Sequence, residues 1–465
     1  MALGRRKNDQ QVQQQMFVTT TSLPRSPGHP FYVALNKLLA EAKFDEFVEK
    51  LCAPLYSEGG RPSIPPGVYF RMLLVGYFEN IDSQRGIAWR CCDSMSLRTF
   101  LGLQVTQASP DHSSLTVIRR RISKELIDEV FAFVLKIAVA KHVLKAGGAV
   151  GVDATTLEAN AAMKSIVRRD SGEGWRDYVA RLAKAEGIEN PTEAELRNFD
   201  RKRKGRKTSN EEWKSPADPD ARVAKMKDGR THMAYKAEHA TDLASEIVVA
   251  ANVQPADRAD SESIKTTITE VQANLMVTAD AAVSVVVADK GYHKAETLAW
   301  CEEQKIATCV AERKSKNMRR WTDKPEAWKH AVYSNRRRLC RARGKALQRR
   351  RSEVVERGFA HVCRTGGARR TWIRGLDEVA KRYLVAVMGY NLAVVMRKLF
   401  GAGKPKEWSA RSGKIAAILV GWMLLRVRQV VSWWIRRVPT CARLRRSGRP
   451  GSLTALGLTP SSTGC

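Results

Sequence analysis

Three acidic residues carry the chemistry that this sequence suggests first. Asp153 ends the apolar run Ala149-Val150-Gly151-Val152, which reads as a short buried strand. Asp289 ends the β-branched run Ser284 to Ala288 and is followed by Lys290-Gly291-Tyr292. Glu356 lies in the helical wording Arg349 to His361. Two strand-end aspartates can converge at one edge of a mixed sheet, and a helix packed on that sheet can bring a glutamate alongside. Three such carboxylates offer hard oxygen ligands to a pair of divalent cations. A cation pair activates the attacking oxygen and stabilises the leaving oxygen in phosphodiester displacement. Each residue also has an ordinary alternative. A strand-end Asp commonly forms a turn or caps a helix, and a Glu in a basic helix commonly pairs at i,i+4.

The surroundings add detail. Glu158 and Glu353 are competing carboxylates. Thr156 and Asn160 are placed to position Asp153 or a water, Gly291 to permit a tight turn, and Tyr292 to contact DNA or to pack. On a helix, Val355 and Phe359 form an i,i+4 apolar pair that should face the sheet. Glu356 borders that stripe, about 100° from Val355, whereas Glu353 lies further round, about 160° away. His112, His293 and His361 show no metal-ligand spacing.

Charge points to a polyanionic partner. Among 465 residues, Lys and Arg total 80 against 48 Asp and Glu, a net charge of +32. A surplus that large disfavours a purely small-molecule enzyme and favours nucleic acid. The run 313–351 holds 16 Lys/Arg and two acids, Asp323 and Glu326. It immediately precedes Glu356, so we assign it to DNA contact. The nine cysteines form no CxxC pair, which argues against a zinc site and fits a reducing cytosol. No signal peptide is read at the start, and the apolar stretch Ile415 to Ile435 is interrupted by Arg426 and Arg428. That stretch reads as a basic amphipathic helix, not a membrane span.

The elements needed to position the acids follow from periodicity. Residues 1–29 form a flexible leader. Residues 30–145 read as an all-helical DNA-binding module: Phe31 to Leu51, Val68 to Asn80, Ser83 to Cys91, Leu97 to Leu101, and one long helix from Leu115 to Leu144. Arg119, Arg120 and Arg121 share one turn there. Residues 146–400 read as an α/β domain with strands at Ala149 to Asp153, Met233 to Ala237, Glu246 to Ala251, Ser284 to Ala288 and Ala307 to Val310. Helices alternate with them at Asp260 to Ala273, Lys294 to Glu303, Lys345 to Cys363 and Glu378 to Phe400. A charged insertion at about 164–229 reads as helical near Trp175 to Ala185 and otherwise flexible. Residues 401–465 form a basic tail with 12 Lys/Arg and one acid.

The wording around the acids resembles a known family, the DDE transposases of bacterial insertion sequences, in their IS-five-like group. GRPSIPPGVYFRMLLVGYFENIDSQR and SPDHSSLTVIRRRI look like that family's helical N-terminal domain. GVDATTLEANAA resembles its first-aspartate block, VVADKGYHKAET its second, and RRRSEVVERGFAH its glutamate block. The resemblance runs over most of residues 30–400. It implies a ribonuclease-H-like mixed-sheet domain in which Asp153, Asp289 and Glu356 bind Mg²⁺, with Mn²⁺ able to substitute. Where a related pattern has Tyr, Arg and Lys around the glutamate, this chain has Arg349, Ser352 and Cys363. Arg351 and Arg364 stand one residue from the last two.

The expected function is a cytoplasmic, nucleoid-associated transposase. It binds the terminal inverted repeats of its element, cleaves phosphodiester bonds and transfers the 3′ ends to target DNA, as a dimer on DNA and without a membrane. Arg119, Arg120, Arg121, Arg336, Arg337, Arg338, Arg349, Arg350 and Arg351 are the candidate DNA contacts. A recognition helix at 83–92 or at 115–125 would enter the major groove. The alternatives are a metal-dependent nuclease without strand transfer and a catalytically decayed, transposase-derived DNA-binding protein.

Overall fold

The structure, a computed structural model, describes residues 28–408 apart from 58, 60–62, 146, 206, 208, 227 and 314–319. The expected leader and the tail helix at 415–435, with Trp433, Trp434, Arg436 and Arg437, lie outside the described residues.

The described residues open with seven helices. They are α1 (Pro30–Glu41), α2 (Phe44–Cys52), α3 (Pro66–Glu79), α4 (Gln84–Asp93), α5 (Met95–Phe100), α6 (His112–Arg121) and α7 (Lys124–Ala140). Five of them, α1 and α4 to α7, start at a side-chain cap. The single helix expected over 31–51 is two, because Lys43 takes a left-handed φ of 57° between them. That break lets Phe44, Val48 and Cys52 turn into the core. The long helix expected over 115–144 is likewise two. Ile122 leaves the helical region, and the Ser123 hydroxyl accepts from Leu126 N, capping α7.

A mixed α/β region follows: β1 (Ala149–Glu158), β2 (Val167–Arg168), α8 (Trp175–Ala185), α9 (Glu193–Lys202), α10 (Ser209–Glu212), β3 (Trp213–Lys214), β4 (Arg222–Lys225), β5 (Thr231–Asp242) and β6 (Val248–Pro255). Then come α11 (Asp260–Ala279), β7 (Val285–Ala288), α12 (Ala295–Glu303), β8 (Ala307–Val310), α13 (Glu326–Cys340), α14 (Ala342–Phe359) and α15 (Leu376–Phe400). The main sheet runs β4-β5-β1-β7-β8, with β6 also on β5. β4 pairs with the first part of β5 and β6 with the remainder, both antiparallel. β1 is antiparallel to β5 and parallel to β7, and β8 is parallel to β7.

Several boundaries differ from expectation. β1 does not stop at Asp153; its pairing with β5 continues to Glu158, so Asp153 sits mid-strand. β5 runs five residues past Ala237, to Asp242. β6 begins at Val248 because Glu246 is left-handed, with φ of 71°. The helix expected over 345–363 starts at Ala342 and passes into a π-helical turn, Ala360–Thr365.

The insertion, expected to be flexible outside 175–185, carries secondary structure. Its small apolar core of Val179, Ala183 and Leu196 is supplemented by charge pairing. The Arg168 guanidinium lies 4.4 Å over the Tyr178 ring, and Arg203 pairs with Asp200 and Glu212. Arginine stacking on aromatics compensates for the shortage of aliphatic side chains.

One continuous apolar core joins the helical part to the sheet. At its centre is α15, buried along most of its length against α3, α7 and β6. Its length and apolarity would suit a membrane span, but burial on this scale marks the core helix of a folded domain. The outer strands β8 and β6 are each bonded by an asparagine side chain in the same way. The Asn335 side chain exchanges two 2.8 Å hydrogen bonds with the Val310 backbone, and Asn391 does so with Val248 at 2.9 and 2.8 Å. An amide side chain thus replaces a neighbouring strand.

Candidate active site

The site grows from the parallel pairing of β1 and β7. Gly151 pairs with Val287. The pairing ends there; Asp153 stands two residues further along β1, and Asp289 directly follows the last residue of β7, near enough for its charge to act on Asp153. Each carboxylate is oriented by a backbone N–H at its Oδ1. Ala154 N donates to Asp153 at 2.8 Å, and Gly291 N donates to Asp289 at 2.7 Å. The second bond makes Asp289 the cap of a 3₁₀ turn, Lys290–Tyr292. Burial pushes the Asp153 carboxyl up, Arg351 opposes the rise, and nearby Asp289 adds to it.

Gly291 matters through close approach. A Cβ there would lie 2.7 Å from Asp260 Oδ2 and 3.0 Å from Asp289 Oδ1. Gly151 matters for the same reason, since a Cβ would meet Leu243 at 2.7 Å and Arg351 at 3.0 Å. The missing side chain lets α14 lie directly on β1. Through that contact Arg351 Nη1 reaches Asp153 Oδ2 at 2.9 Å.

Glu356 and Glu353 are both exposed on α14. Glu353 faces Arg350 and Arg357, as the helical register predicted. Glu356 Oε1 accepts from the Ser352 hydroxyl at 3.2 Å. Among the described residues no three His, Cys, Asp or Glu side chains stand close enough together to hold a metal ion. The two aspartates are therefore brought side by side, while the glutamate carboxylate turns to its own helix.

Two residues near the aspartates escaped the sequence reading, because β5 was ended at Ala237. His239 pairs with Asp153 across the strands, is fully buried, stacks on Phe359 at 4.1 Å and lies 2.7 Å from the Tyr383 hydroxyl. Glu238 is fully buried beneath Tyr292. The polar residues Glu238, His239, Thr241 and Asp242 after Ala237 gave no strand signal; pairing with β1 and β6 places them in β5. Tyr292 is packed, only 1% exposed. Thr156 offers its carbonyl to Arg369, and Asn160 donates to Trp372 O, so the bonds they make are to other partners than Asp153.

Comparison with protein families decides the kinship. A transposase domain model (DUF772) matches residues 22–121, and a transposase DDE domain model matches residues 201–392. Together they cover more than half of the chain. The chain belongs to the DDE transposases. Asp289 and Glu356 fall within the DDE match, whereas Asp153 lies between the two matches. The chain has no significant match among curated proteins or among solved structures.

For a DDE transposase, DNA is the partner, and the candidate arginines divide into two groups. Arg120, Arg121, Arg337 and Arg349 are exposed. Arg121 also covers Tyr56 at 5.3 Å, and Arg337 donates to the Ser334 hydroxyl at 3.1 Å. The other five are built into the fold. Arg119 pairs with Glu378 at 2.8 Å, Arg336 with Glu312 at 2.6 Å, and Arg350 with Glu246 at 3.2 Å. Arg338 bonds the Thr308 carbonyl at 2.8 Å, and Arg351 holds Asp153. Among the described residues the seven cysteines form no disulfide.

Proposed function

We propose that this transposase belongs to the IS-five-like group and carries a ribonuclease-H-like catalytic domain over 146–400. It binds the terminal inverted repeats of its element, cleaves there, and transfers the 3′ ends to target DNA. The observation that carries this reading is the proximity of Asp153 in β1 to Asp289 just past the end of the adjacent parallel strand β7, with α14 packed on both strands. The sheet is antiparallel among β1, β4, β5 and β6 and parallel from β1 through β7 to β8 with intervening helices, which supports the ribonuclease-H-like assignment.

Asp153, Asp289 and Glu356 would hold the divalent cations, Mg²⁺ or Mn²⁺. The two aspartates fit, being half-buried neighbouring oxygen donors whose mutual repulsion a hard cation would relieve, whereas Glu356 would have to turn from Ser352 to join them. When bound, the cations supply activation of the attacking oxygen and stabilisation of the leaving oxygen. The chain's own part is orientation. The N–H groups of Ala154 and Gly291 fix Oδ1 of each aspartate, which leaves Asp289 Oδ2 without a hydrogen-bond partner among the described residues. Arg351 supplies positive charge to Asp153 from α14, and the Ser352 hydroxyl holds Glu356 one turn along. Water serves as nucleophile for cleavage, and the DNA 3′ hydroxyl serves for joining.

The helical module at 30–145 reads the element ends through a helix in the major groove. The exposed arginines of α6, α13 and α14 add phosphate contacts. Joining two ends in one reaction calls for a dimer on DNA, acting in the bacterial cytoplasm at the nucleoid. The test is a mini-element carrying the terminal repeats, incubated with protein, Mg²⁺ and a target plasmid. Joined products are expected. Nicked ends without joining would indicate the nuclease alternative, and end binding without nicking would indicate a decayed enzyme.

A further inference from the structure

The fully buried carboxylate of Glu238 calls for a physical reason. An ionisable group in the middle of a sheet is costly unless its oxygens are satisfied. Among the described residues no cation pairs with it. The neighbouring Lys236 ammonium is committed to Asp260 at 2.7 Å and to the Arg258 carbonyl at 2.5 Å. Glu238 instead accepts from three hydroxyls: Ser263 at 2.7 Å, Thr267, and Tyr292 at 2.9 Å. Two of these donors are in α11. The third ends the 3₁₀ turn that Asp289 caps.

That turn is gripped from two sides. Tyr292, at 1% exposure, is anchored by its hydroxyl to β5. Gly291 packs against Asp260, which Lys236 holds at the start of α11. Asp289 in turn takes its orientation from Gly291 N. The link from β5 to Asp289 is therefore a short run of hydrogen bonds and close contacts through three consecutive residues.

We propose that Glu238 is a positioning residue for Asp289, anchoring through the Tyr292 hydroxyl the turn that aims the Asp289 carboxylate. This rests on the reading of Asp289 as a metal ligand. Tyr292→Phe removes the donor, and Glu238→Ala removes the acceptor. Glu238→Gln keeps a carbonyl that Tyr292 can still reach. Outer-shell partners of this kind alter metal affinity by about 10–100-fold.

The experiment measures Mn²⁺ binding by calorimetry on the full chain, without DNA, beside thermal unfolding in chelator. Tyr292→Phe and Glu238→Ala should weaken Mn²⁺ binding about tenfold or more, and Glu238→Gln should remain within about threefold of the unsubstituted chain. The double variant Tyr292→Phe/Glu238→Ala should bind no more weakly than Glu238→Ala, since both cut one link. Leu275→Ala, a buried change elsewhere in α11, should lower Tm without altering Mn²⁺ affinity. Unchanged affinity in Tyr292→Phe together with loss in Asp289→Asn overturns the proposal alone. An unsubstituted chain that binds no Mn²⁺, or an Asp289→Asn variant that binds as well, overturns the metal reading and this proposal with it. If Glu238→Ala does not fold, Tyr292→Phe alone decides.

Discussion

Arg351 in α14 donates from Nη1 to Oδ2 of Asp153 in β1 across 2.9 Å, and both side chains are largely buried. A guanidinium thus rests on the carboxylate proposed to hold a metal, supplying the positive charge that site requires. Arg351→Met should lower stability in chelator by about 1.5–3 kcal/mol, the range for a hydrogen bond to a charged group. It would leave Asp153 beside Asp289 with no counter-charge. Mn²⁺ should then raise the Tm of the variant more than that of the unsubstituted chain. An equal Tm deficit with and without Mn²⁺ would mean that the arginine only packs.

The carboxylates can be separated by amide substitution, which removes charge at nearly constant volume. Asp153→Asn and Asp289→Asn should abolish nicking while leaving end binding within about a factor of two, the effect of an ordinary surface change. Glu356→Gln should abolish cleavage and joining, whereas Glu353→Gln should retain most activity, because Glu353 is committed to Arg350 and Arg357. Gel shift and nicking on the same preparations report both properties. Retained nicking in Glu356→Gln with loss in Glu353→Gln would move the third ligand one turn back.

Salt should distinguish the exposed arginines from the built-in ones. Each phosphate contact contributes about −0.9 to the slope of log affinity against log salt. Replacing Arg120, Arg337 and Arg349 by Gln should flatten the slope by up to about 3 with little change in Tm. Replacing Arg336, Arg338 and Arg350 should lower Tm instead, since these hold Glu312, the Thr308 carbonyl and Glu246. Binding titrations from 50 to 200 mM salt would show the opposite assignment directly.

The asparagine clamps predict a stability loss unrelated to catalysis. Asn335→Leu or Asn391→Leu should each cost roughly 2–5 kcal/mol, because a buried backbone N–H and C=O both lose their partner at about 1–3 kcal/mol apiece. Denaturant titration measures it. A loss below about 1 kcal/mol, the scale of an ordinary net hydrogen bond, would mean that water replaces the amide without penalty.

His239 gives a pH signature. Burial pushes its pKa down from 6.5 to about 3. The unfolded chain takes up this proton below about pH 6.5 and the folded chain does not. The resulting stability is fully present above that pH and is lost as pH falls toward 3. His239→Gln retains an acceptor for Tyr383 and removes the titration. The stability difference between the two proteins should therefore shift against the unsubstituted chain by up to ~1.4 kcal/mol per pH unit below pH 6. Parallel pH curves would refute the assignment of a neutral buried histidine.

Much of the fold is legible in the sequence. Hydrophobic periodicity located the helices that became α3, α12 and α15 and the strands β7 and β8, because in these the apolar pattern and the ends coincide. Capping residues were misread where a single Ser or Lys overrides a continuing apolar pattern, as at Ser123 and Lys43. Strand ends failed for another reason. The extents of β1 and β5 are set by pairing with each other, and the residues beyond Asp153 and Ala237 are too polar to signal a strand alone.

The sequence by itself determined the acids at their stations, the basic surplus and the family wording, since residue type, spacing and charge are local properties. Tertiary structure decided which of those residues meet. Pairing of β1 with β7 brought Asp153 near Asp289, and the bare backbone at Gly151 let α14 deliver Arg351 rather than a glutamate to Asp153. It also decided which arginines are surface and which are ion-paired, and it buried Glu238 and His239 in a strand that looked finished before them. Long-range pairing and close packing bring together residues far apart in the chain, and neither leaves a local trace in residue order.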